Sequence, residues 1–363
     1  MRRRPSVVLG ASGLVGQRMQ QRLLGHPWFE LAAVGGSALT AGKKLDEVEW
    51  RLEQARPELP NLVIHDILGS TFVQDMVHAG IEIAFSCLPS DVAAQIESKL
   101  ADVGIAVFSN ASHHRGEHGI PLVIPDINPS HMSLYASSKG PHACGTNCTL
   151  VSLAVPLAAL RSFGIQHVSM RSEQALSGAG WKLLMSEEAL AGDHEAEIPG
   201  EAEKIEHELL HVMGSISSEK VSPADFEIDV NCQRVSRKDG HQVFVDVQFD
   251  QSVSLEDVKF ALRTHAFNSV LKSCPSTPHR PIHLVERIDV NRHLWSNGTH
   301  FLENPDPSLE LKAGMAVVVG EVRMTSDDTV SFTGYSHNTI RGAAGGTLLL
   351  AEQAFNEGRL REP

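Results

Sequence analysis

The sequence predicts an α/β protein with a doubly wound parallel sheet, followed by an α+β unit on a mixed sheet. Three observations predict it. The apolar run SVVL at 6–9 ends in the glycine turn GASGLVG and continues as QRMQQRLLGHP, whose apolar residues recur at helical spacing. Further short apolar runs alternate with helical segments, as when parallel strands are joined by crossover helices. Beyond residue 148 the strand-like runs lengthen and irregular segments separate them, which suits an antiparallel or mixed sheet.

The elements follow in order. FELAAVGG after Pro27 reads as the second strand, and EIAFSCLP at 82–89 as another. The helical stretch DVAAQIESKLADVG comes next, then the strand IAVFSN. In the second half HQVFVDVQF at 241–249 and GMAVVVGEVRM at 314–324 are long strands, and HNTIRGAAGGTLLLAEQAF is a turn with a closing helix. The stretch 275–310 gives no clear periodicity. A chain of 363 residues is long enough for two cores. The expected division is 1–147 with 338–363 as the nucleotide-binding unit, and 148–337 as the catalytic and dimerisation unit.

Composition narrows the function. A formal net charge of -13 argues against binding a nucleic-acid backbone, so any anion site must be local. No apolar run approaches the roughly 20 residues that span a bilayer, and no membrane partner is expected. The start, MRRRPSVVLGASG, passes directly into a strand without the apolar core of a signal peptide, which predicts a cytoplasmic protein. Five scattered cysteines, Cys87, Cys144, Cys148, Cys232 and Cys274, suit reduced thiols, and no ligand spacing predicts a metal.

Gly10, Gly13 and Gly16 form G-x-x-G-x-x-G between the first strand and the first helix, a Rossmann-like arrangement. Amides at such a helix start can meet a pyrophosphate, the glycines allowing close approach. Gly10, Ser12, Gly13, Leu14 and Val15 are therefore the expected cofactor contacts. The second strand ends in GGSALTAGKKL, with no acid before Asp46 to hold a ribose hydroxyl. Ser37, Thr40 and Lys43 suit a 2′-phosphate instead, so NADP is expected over NAD.

GPHACGTNCTLVSLAVPLAAL sets Cys148 just ahead of a long apolar helix. Unpaired N–H groups and the helix dipole there favour an anion and would bring the thiol pKa towards neutrality. Asn147 and the Cys148 amide would then donate to an oxyanion. Read locally, a packed structural thiol fits Cys148 equally well.

The segments GASGLVG, SNASHHR, LVIPDIN, GTNCT, QALSGAG, GEAEKI, RVSRKDGH and SHNTIRGAAGG occur in an order that resembles the aspartate-semialdehyde dehydrogenases of archaea and fungi. The resemblance covers almost the whole chain. It implies that Cys148 is the acyl-accepting nucleophile with Asn147 beside it, that Gln174 positions the substrate, and that His241 is the general acid/base. It further implies Arg234 as the clamp for the substrate carboxylate, Glu201 for its amino group, and Arg115 and Lys204 for phosphate, with Asn110 nearby. Gly178 and Asn338 would touch the cofactor.

The implied reaction is NADPH-dependent reduction of 4-phospho-L-aspartate to L-aspartate 4-semialdehyde and phosphate through a cysteine thioester, in amino-acid biosynthesis, by a homodimer or homotetramer. Malonyl-CoA reductase and N-acetyl-glutamyl-phosphate reductase share the architecture without needing Glu201. A catalytically silent NADPH-binding regulator is the alternative from another class. The chain departs from the family pattern at Trp181-Lys182, at Leu39 where an arginine is common, and in ERIDVNRHLWSNGTH.

Overall fold

The structure, a computed structural model, describes residues 2–137 and 140–360. Its first sheet has six strands, β1 (Arg4–Leu9), β2 (Phe29–Gly36), β3 (Ile64–Asp66), β4 (Ile83–Ser86), β5 (Ala106–Ser109) and β6 (His142–Cys144), in the order β3-β2-β1-β4-β5-β6. All neighbours are parallel. Helices α1 (Leu14–Leu23), α2 (Phe72–His78) and α3 (Ser90–Asp102) cross over between strands. Because both faces are covered, these strands are apolar along their length: Ile83–Ser86 and Ala106–Ser109 are buried at every residue. The order reverses between β1 and β4, whose carboxyl ends therefore open a crevice.

The chain then forms α4 (Leu150–Leu160) and β7 (Ile165–Gln174), the short helices α5 (Trp181–Leu184) and α6 (Glu187–Leu190), and α7 (Glu201–Val212). A small hairpin, β8 (Ser215–Ser217) and β9 (Lys220–Ser222), precedes β10 (Glu227–Arg234) and β11 (His241–Phe249). Helices α8 (Leu255–Thr264) and α9 (Ser269–Lys272) lead to β12 (Ile282–Leu284), β13 (Val317–Met324) and β14 (Thr329–Ser336). The second sheet has the order β10-β7-β11-β14-β13-β12 and is mixed, with β10/β7 and β12/β13 parallel and the rest antiparallel.

In β11 the alternation of HQVFVDVQF sends His241, Val243, Val245, Val247 and Phe249 into the core beneath α4 and α8. The opposite face presents the exposed side chains of Ser169, Arg171, Asn231, Asp246 and Arg323.

Helix α4 is buried at nearly every residue although it contains Pro156. Proline supplies no N–H to the Ser152 carbonyl one turn earlier. Strand β14 packs onto that carbonyl, and Gly334 permits it, since a Cβ there would stand 2.3 Å from the Ser152 oxygen. The end of α4 that carries Cys148 is thus seated directly on the second sheet.

The chain finally returns to the first sheet through a π-helical turn (Ile340–Ala344) and α10 (Gly345–Asn356), whose Leu348, Leu350, Ala351 and Ala354 share a core with Val8, Phe29 and Phe85. Among the described residues no helix is long and apolar enough to cross a membrane. Gly334→Ala is expected to destabilise the fold by about 1–3 kcal/mol, because the added methyl meets backbone rather than a movable side chain. Urea denaturation measures it, and an unchanged midpoint would remove the close approach of β14 to α4 from the account.

Candidate active site

Three strand ends meet at one edge of the second sheet. Gln174 closes β7 and pairs with Arg234, which closes the parallel β10. Strand β11 runs the other way, so its first residue, His241, lies at that same end. The Cys148 Sγ is 3.2 Å from His241 Nε2. Cys148, with the fully buried His241 behind it, opens on a cavity of about 400 Å³ whose other walls include Val15 of α1, Cys87 and Asn110 just beyond β4 and β5, and Glu201 and Lys204 from α7. The cavity therefore faces the crevice at the β1 and β4 carboxyl ends.

The backbone fixes the state of His241. Its Nδ1 accepts the Ala175 N–H at 3.0 Å, so the neutral ring carries its proton on Nε2, facing the sulfur. Burial, then Arg234 and Arg237, hold this imidazole well below its ordinary pKa. It is thus a neutral donor towards Cys148 and not a ready acceptor of the thiol proton.

Expectation and structure part at the thiol. Helix α4 begins at Leu150 with Thr149 as its N-cap, so Cys148 lies outside the first turn. Burial pushes its thiol up to about 12, and Glu201 adds to the rise against the opposing pull of Arg115 and Arg234. The pKa moves away from neutrality because desolvation and a nearby carboxylate outweigh whatever the helix end supplies. The resting pair is a neutral thiol beside a neutral imidazole.

Around this pair the polar groups form a connected set. Glu201, the first residue of α7, accepts from Asn147 Nδ2 at 2.9 Å and from Gln174 Nε2 at 3.3 Å. Asn147 Oδ1 in turn accepts from the Thr149 N–H at 2.8 Å. The Asn147 amide expected to face an oxyanion is therefore engaged with Glu201 here. Arg234 donates to the Ala175 carbonyl at 2.9 Å and lines the cavity. Lys204 is exposed at its rim.

Arg115 donates to Glu208 Oε1 at 2.9 Å and to the Asn110 carbonyl at 2.7 Å. The second oxygen of Glu208 accepts the Asn147 N–H at 2.6 Å. Asn110 binds Ser86 and Thr347 through its own amide. Sequence reading missed Glu208, which joins the Arg115 loop to the Cys148 turn. Its signal was helical: Glu201, Lys204 and Glu208 stand at i, i+3 and i+7 on one face of α7.

The glycine turn fits a dinucleotide. A Cβ at Gly16 would stand 2.1 Å from the Gly10 carbonyl, so only glycine lets α1 start this close to β1. Gly13 is the N-cap and supplies no side chain, which leaves the first turn of α1, with Leu14 and Val15, without a side-chain cap. Beyond β2, Ser37 and Lys43 are exposed, Thr40 turns back onto the Ser37 carbonyl, and Leu39 is 85% exposed. Arg51, which sequence reading did not single out, donates to the Ser12 carbonyl at 2.7 Å and lies 4.0 Å over the ring of Trp181. The departure at Trp181 therefore reaches the glycine turn through Arg51.

Two expected cofactor contacts have other partners here. Gly178 is exposed at the cavity, and its crowded neighbours are Arg234 and His241, each 3.0 Å from a Cβ built there. Asn338 is buried with both ends of its amide engaged. Its Oδ1 accepts the Gly240 N–H and its Nδ2 donates to Ser177 Oγ, each at 2.8 Å. It ties the residues before His241 and Gly178 together. The departure ERIDVNRHLWSNGTH lies away from the cavity, its Trp295 packed on His337 and its His293 stacked on Phe301.

A family model described as the semialdehyde dehydrogenase NAD-binding domain matches residues 7–135, and one described as the semialdehyde dehydrogenase dimerisation domain matches 156–341. The chain is 36% identical to the aspartate-semialdehyde dehydrogenase of Archaeoglobus fulgidus, covering 96% of this chain and 97% of the relative. It is 34% identical to that of Aspergillus fumigatus, with 97% of each covered. Among solved structures, the Candida albicans aspartate semialdehyde dehydrogenase with NADP superposes with a TM-score of 0.80 at 30% identity, covering 98% of this chain and 99% of that one.

If the resting thiol titrates near 12, alkylation of Cys148 by iodoacetamide should climb about tenfold per pH unit across roughly pH 7 to 10 without a plateau. Glu201→Gln removes a carboxylate that raises this pKa, so it should speed alkylation about 3- to 10-fold at fixed pH. A plateau near roughly pH 8 in the unliganded protein would mean a resting thiolate instead.

Proposed function

The chain belongs to the aspartate-semialdehyde dehydrogenase family, and on that premise we propose that it reduces 4-phospho-L-aspartate to L-aspartate 4-semialdehyde and phosphate, with NADPH as reductant. The observation that carries this reading is the Cys148–His241 pair, 3.2 Å apart, whose sulfur faces a cavity that also presents Arg115, Arg234, Glu201 and Lys204.

In the reductive direction Arg234 holds the substrate carboxylate and Glu201 its ammonium group, with Gln174 and Asn147 fixing the Glu201 carboxylate. Arg115 and Lys204 hold the phosphate, Asn110 anchoring the Arg115 loop through its carbonyl. The Cys148 sulfur attacks the acyl carbon as the C–O bond to phosphate breaks, and the thiol proton leaves with the hydrogenphosphate product. His241 Nε2–H donates to the sulfur as charge develops on it.

NADPH, when bound, supplies the hydride that reduces the thioester. Its holders are the glycine turn Gly10, Ser12, Gly13, Leu14 and Val15, with Ser37, Thr40 and Lys43 for the 2′-phosphate. Gly178 lines the cavity beside them, and the buried Asn338 holds the loop before it through Ser177. His241 Nε2–H then donates a hydrogen bond to the oxyanion of the reduced, tetrahedral adduct; as its C–S bond breaks the aldehyde departs, and the Cys148 sulfur takes a proton from water, which restores the neutral resting pair.

We assign the nucleotide-binding part to 1–147 with 338–363, and the catalytic and dimerisation part to 148–337. Free thiol chemistry suits a cytoplasmic setting. The family carries a dimerisation domain, and an assembly of two or four copies is the expected form.

The decisive assay is NADP reduction with aspartate semialdehyde, which should require phosphate and should be lost in Cys148→Ser while NADPH binding persists. Turnover that needs coenzyme A in place of phosphate, or an N-acylated substrate, would reject this substrate. His241→Asn should slow the chemical step by about 10²- to 10⁴-fold with little change in substrate affinity; turnover near the parent rate would make His241 structural. Sedimentation should show at least a dimer at micromolar concentration, with the exposed sheet face around Arg171 and Phe244 as the contact. An active monomer would contradict that.

A further inference from the structure

A second group of chemistry-bearing residues lies beneath the loop that carries Arg115. Glu97 of α3, His114 of the loop after β5 and His142 at the start of β6 converge, one ligand atom from each lying within 4.8 Å of the others. Their exposures are 0%, 4% and 2%, so all three are withdrawn from water. His142 Nε2 is 3.1 Å and His114 Nε2 is 3.8 Å from the same oxygen, Glu97 Oε2.

This arrangement is incomplete as a hydrogen-bonded cluster. His114 Nδ1 is 2.8 Å from Glu117 Oε1, a carboxylate that can only accept, so Nδ1 carries a proton. In the neutral ring Nε2 then offers a lone pair towards Glu97, acceptor against acceptor. If the ring is charged, the Nε2–H still fails, because 3.8 Å is beyond hydrogen-bond length. His114 Nε2 is in fact buried without a hydrogen-bond partner. The other Glu97 oxygen is satisfied by Ser109 Oγ at 2.7 Å, which leaves Oε2 directed at the two imidazoles.

One cation between the three groups removes the fault. Tetrahedral zinc with bonds of about 2.0–2.2 Å sets its ligand atoms roughly 3.4 Å apart, between the 3.1 and 3.8 Å found here. Two imidazoles and a carboxylate are a recurrent zinc donor set, and Glu117 behind His114 is the outer carboxylate that orients a ligating histidine. Glu97 and Glu117 together balance the charge of a divalent ion.

We propose that Glu97, His114 and His142 form a structural site for a divalent transition metal of the zinc class, with water completing the coordination. The ion ties α3 and β6 to the loop that bears Arg115, the residue after His114. The three ligands come from separate elements with no local spacing, which is why the sequence did not reveal them. This inference is independent of the catalytic assignments.

The test is titration of chelator-treated protein with Co²⁺ in a Cys148→Ser background, which removes the cavity thiol as a competing ligand. The expected result is saturation at one equivalent with visible absorption of a four-coordinate nitrogen and oxygen site, reversed by zinc. Glu97→Gln should abolish the signal. Glu117→Gln, at a partly exposed position that folding tolerates, should weaken binding about 10- to 100-fold. No saturable spectrum at millimolar Co²⁺, a sulfur charge-transfer band, or binding undiminished in Glu117→Gln would overturn the site.

Discussion

The placement of β11 antiparallel to β7, with β10 parallel on the other side of β7, is the constraint on which the site rests. It brings two strand ends and one strand beginning to a single edge, so Gln174, Arg234 and His241 meet although they are far apart in the chain. Cys148 is delivered to the same edge by α4, which can sit directly on β14 because Pro156 frees a carbonyl and Gly334 leaves room for it. A slip of one residue in β11 would send His241 to the opposite face, since side chains alternate along a strand. The register of an apolar strand thus also fixes a chemical pair.

Burial then decides how that pair behaves. Water exclusion raises the Cys148 thiol and lowers the His241 imidazole, so both are neutral at rest. The cationic groups nearby, Arg115 and Arg234, pull the thiol pKa down, and Glu201 pushes it up. A substrate ammonium group at Glu201 would offset one of the forces that keep the thiol protonated. Under the proposed role of Glu201, substrate binding and nucleophile activation would be coupled through one carboxylate. The neutral resting thiol is also less exposed to oxidation, which proceeds through the thiolate.

What could be read from the sequence was whatever is local. The strand, glycine turn and helix at 6–23, the strand at 241–249 and the closing helix are written in periodicity, and the structure follows them closely. The identity of Cys148 and His241 as a pair needed several motifs in register, since neither residue is distinctive alone. The direction of the Cys148 pKa shift was misjudged because the helix start is visible in sequence, whereas burial and the approach of Glu201 are tertiary. Glu208, Arg51 and the Glu97 cluster escaped for the same reason: their partners lie on other elements. Asn338 was recognised as significant, but which groups its amide meets depends on two loops that only the fold brings together.

The motif SHNTIRGAAGG shows how one short segment serves both halves of the chain. It leaves β14 beside His241, binds the loops before His241 and Gly178 through Asn338, and then turns in a π-helix towards the first sheet. Within that turn Arg341 pairs with Asp126, both buried, so the motif LVIPDIN is tied to it by charge and not merely by packing. A buried ion pair contributes little net stability, but losing one partner strands a charge away from water. Its value here is positional. The backbone that passes from the second sheet to α10 is held at Asn338 and Arg341, just ahead of Gly342 and Ala343, which line the cavity, so that wall is set by groups that tolerate few alternative arrangements.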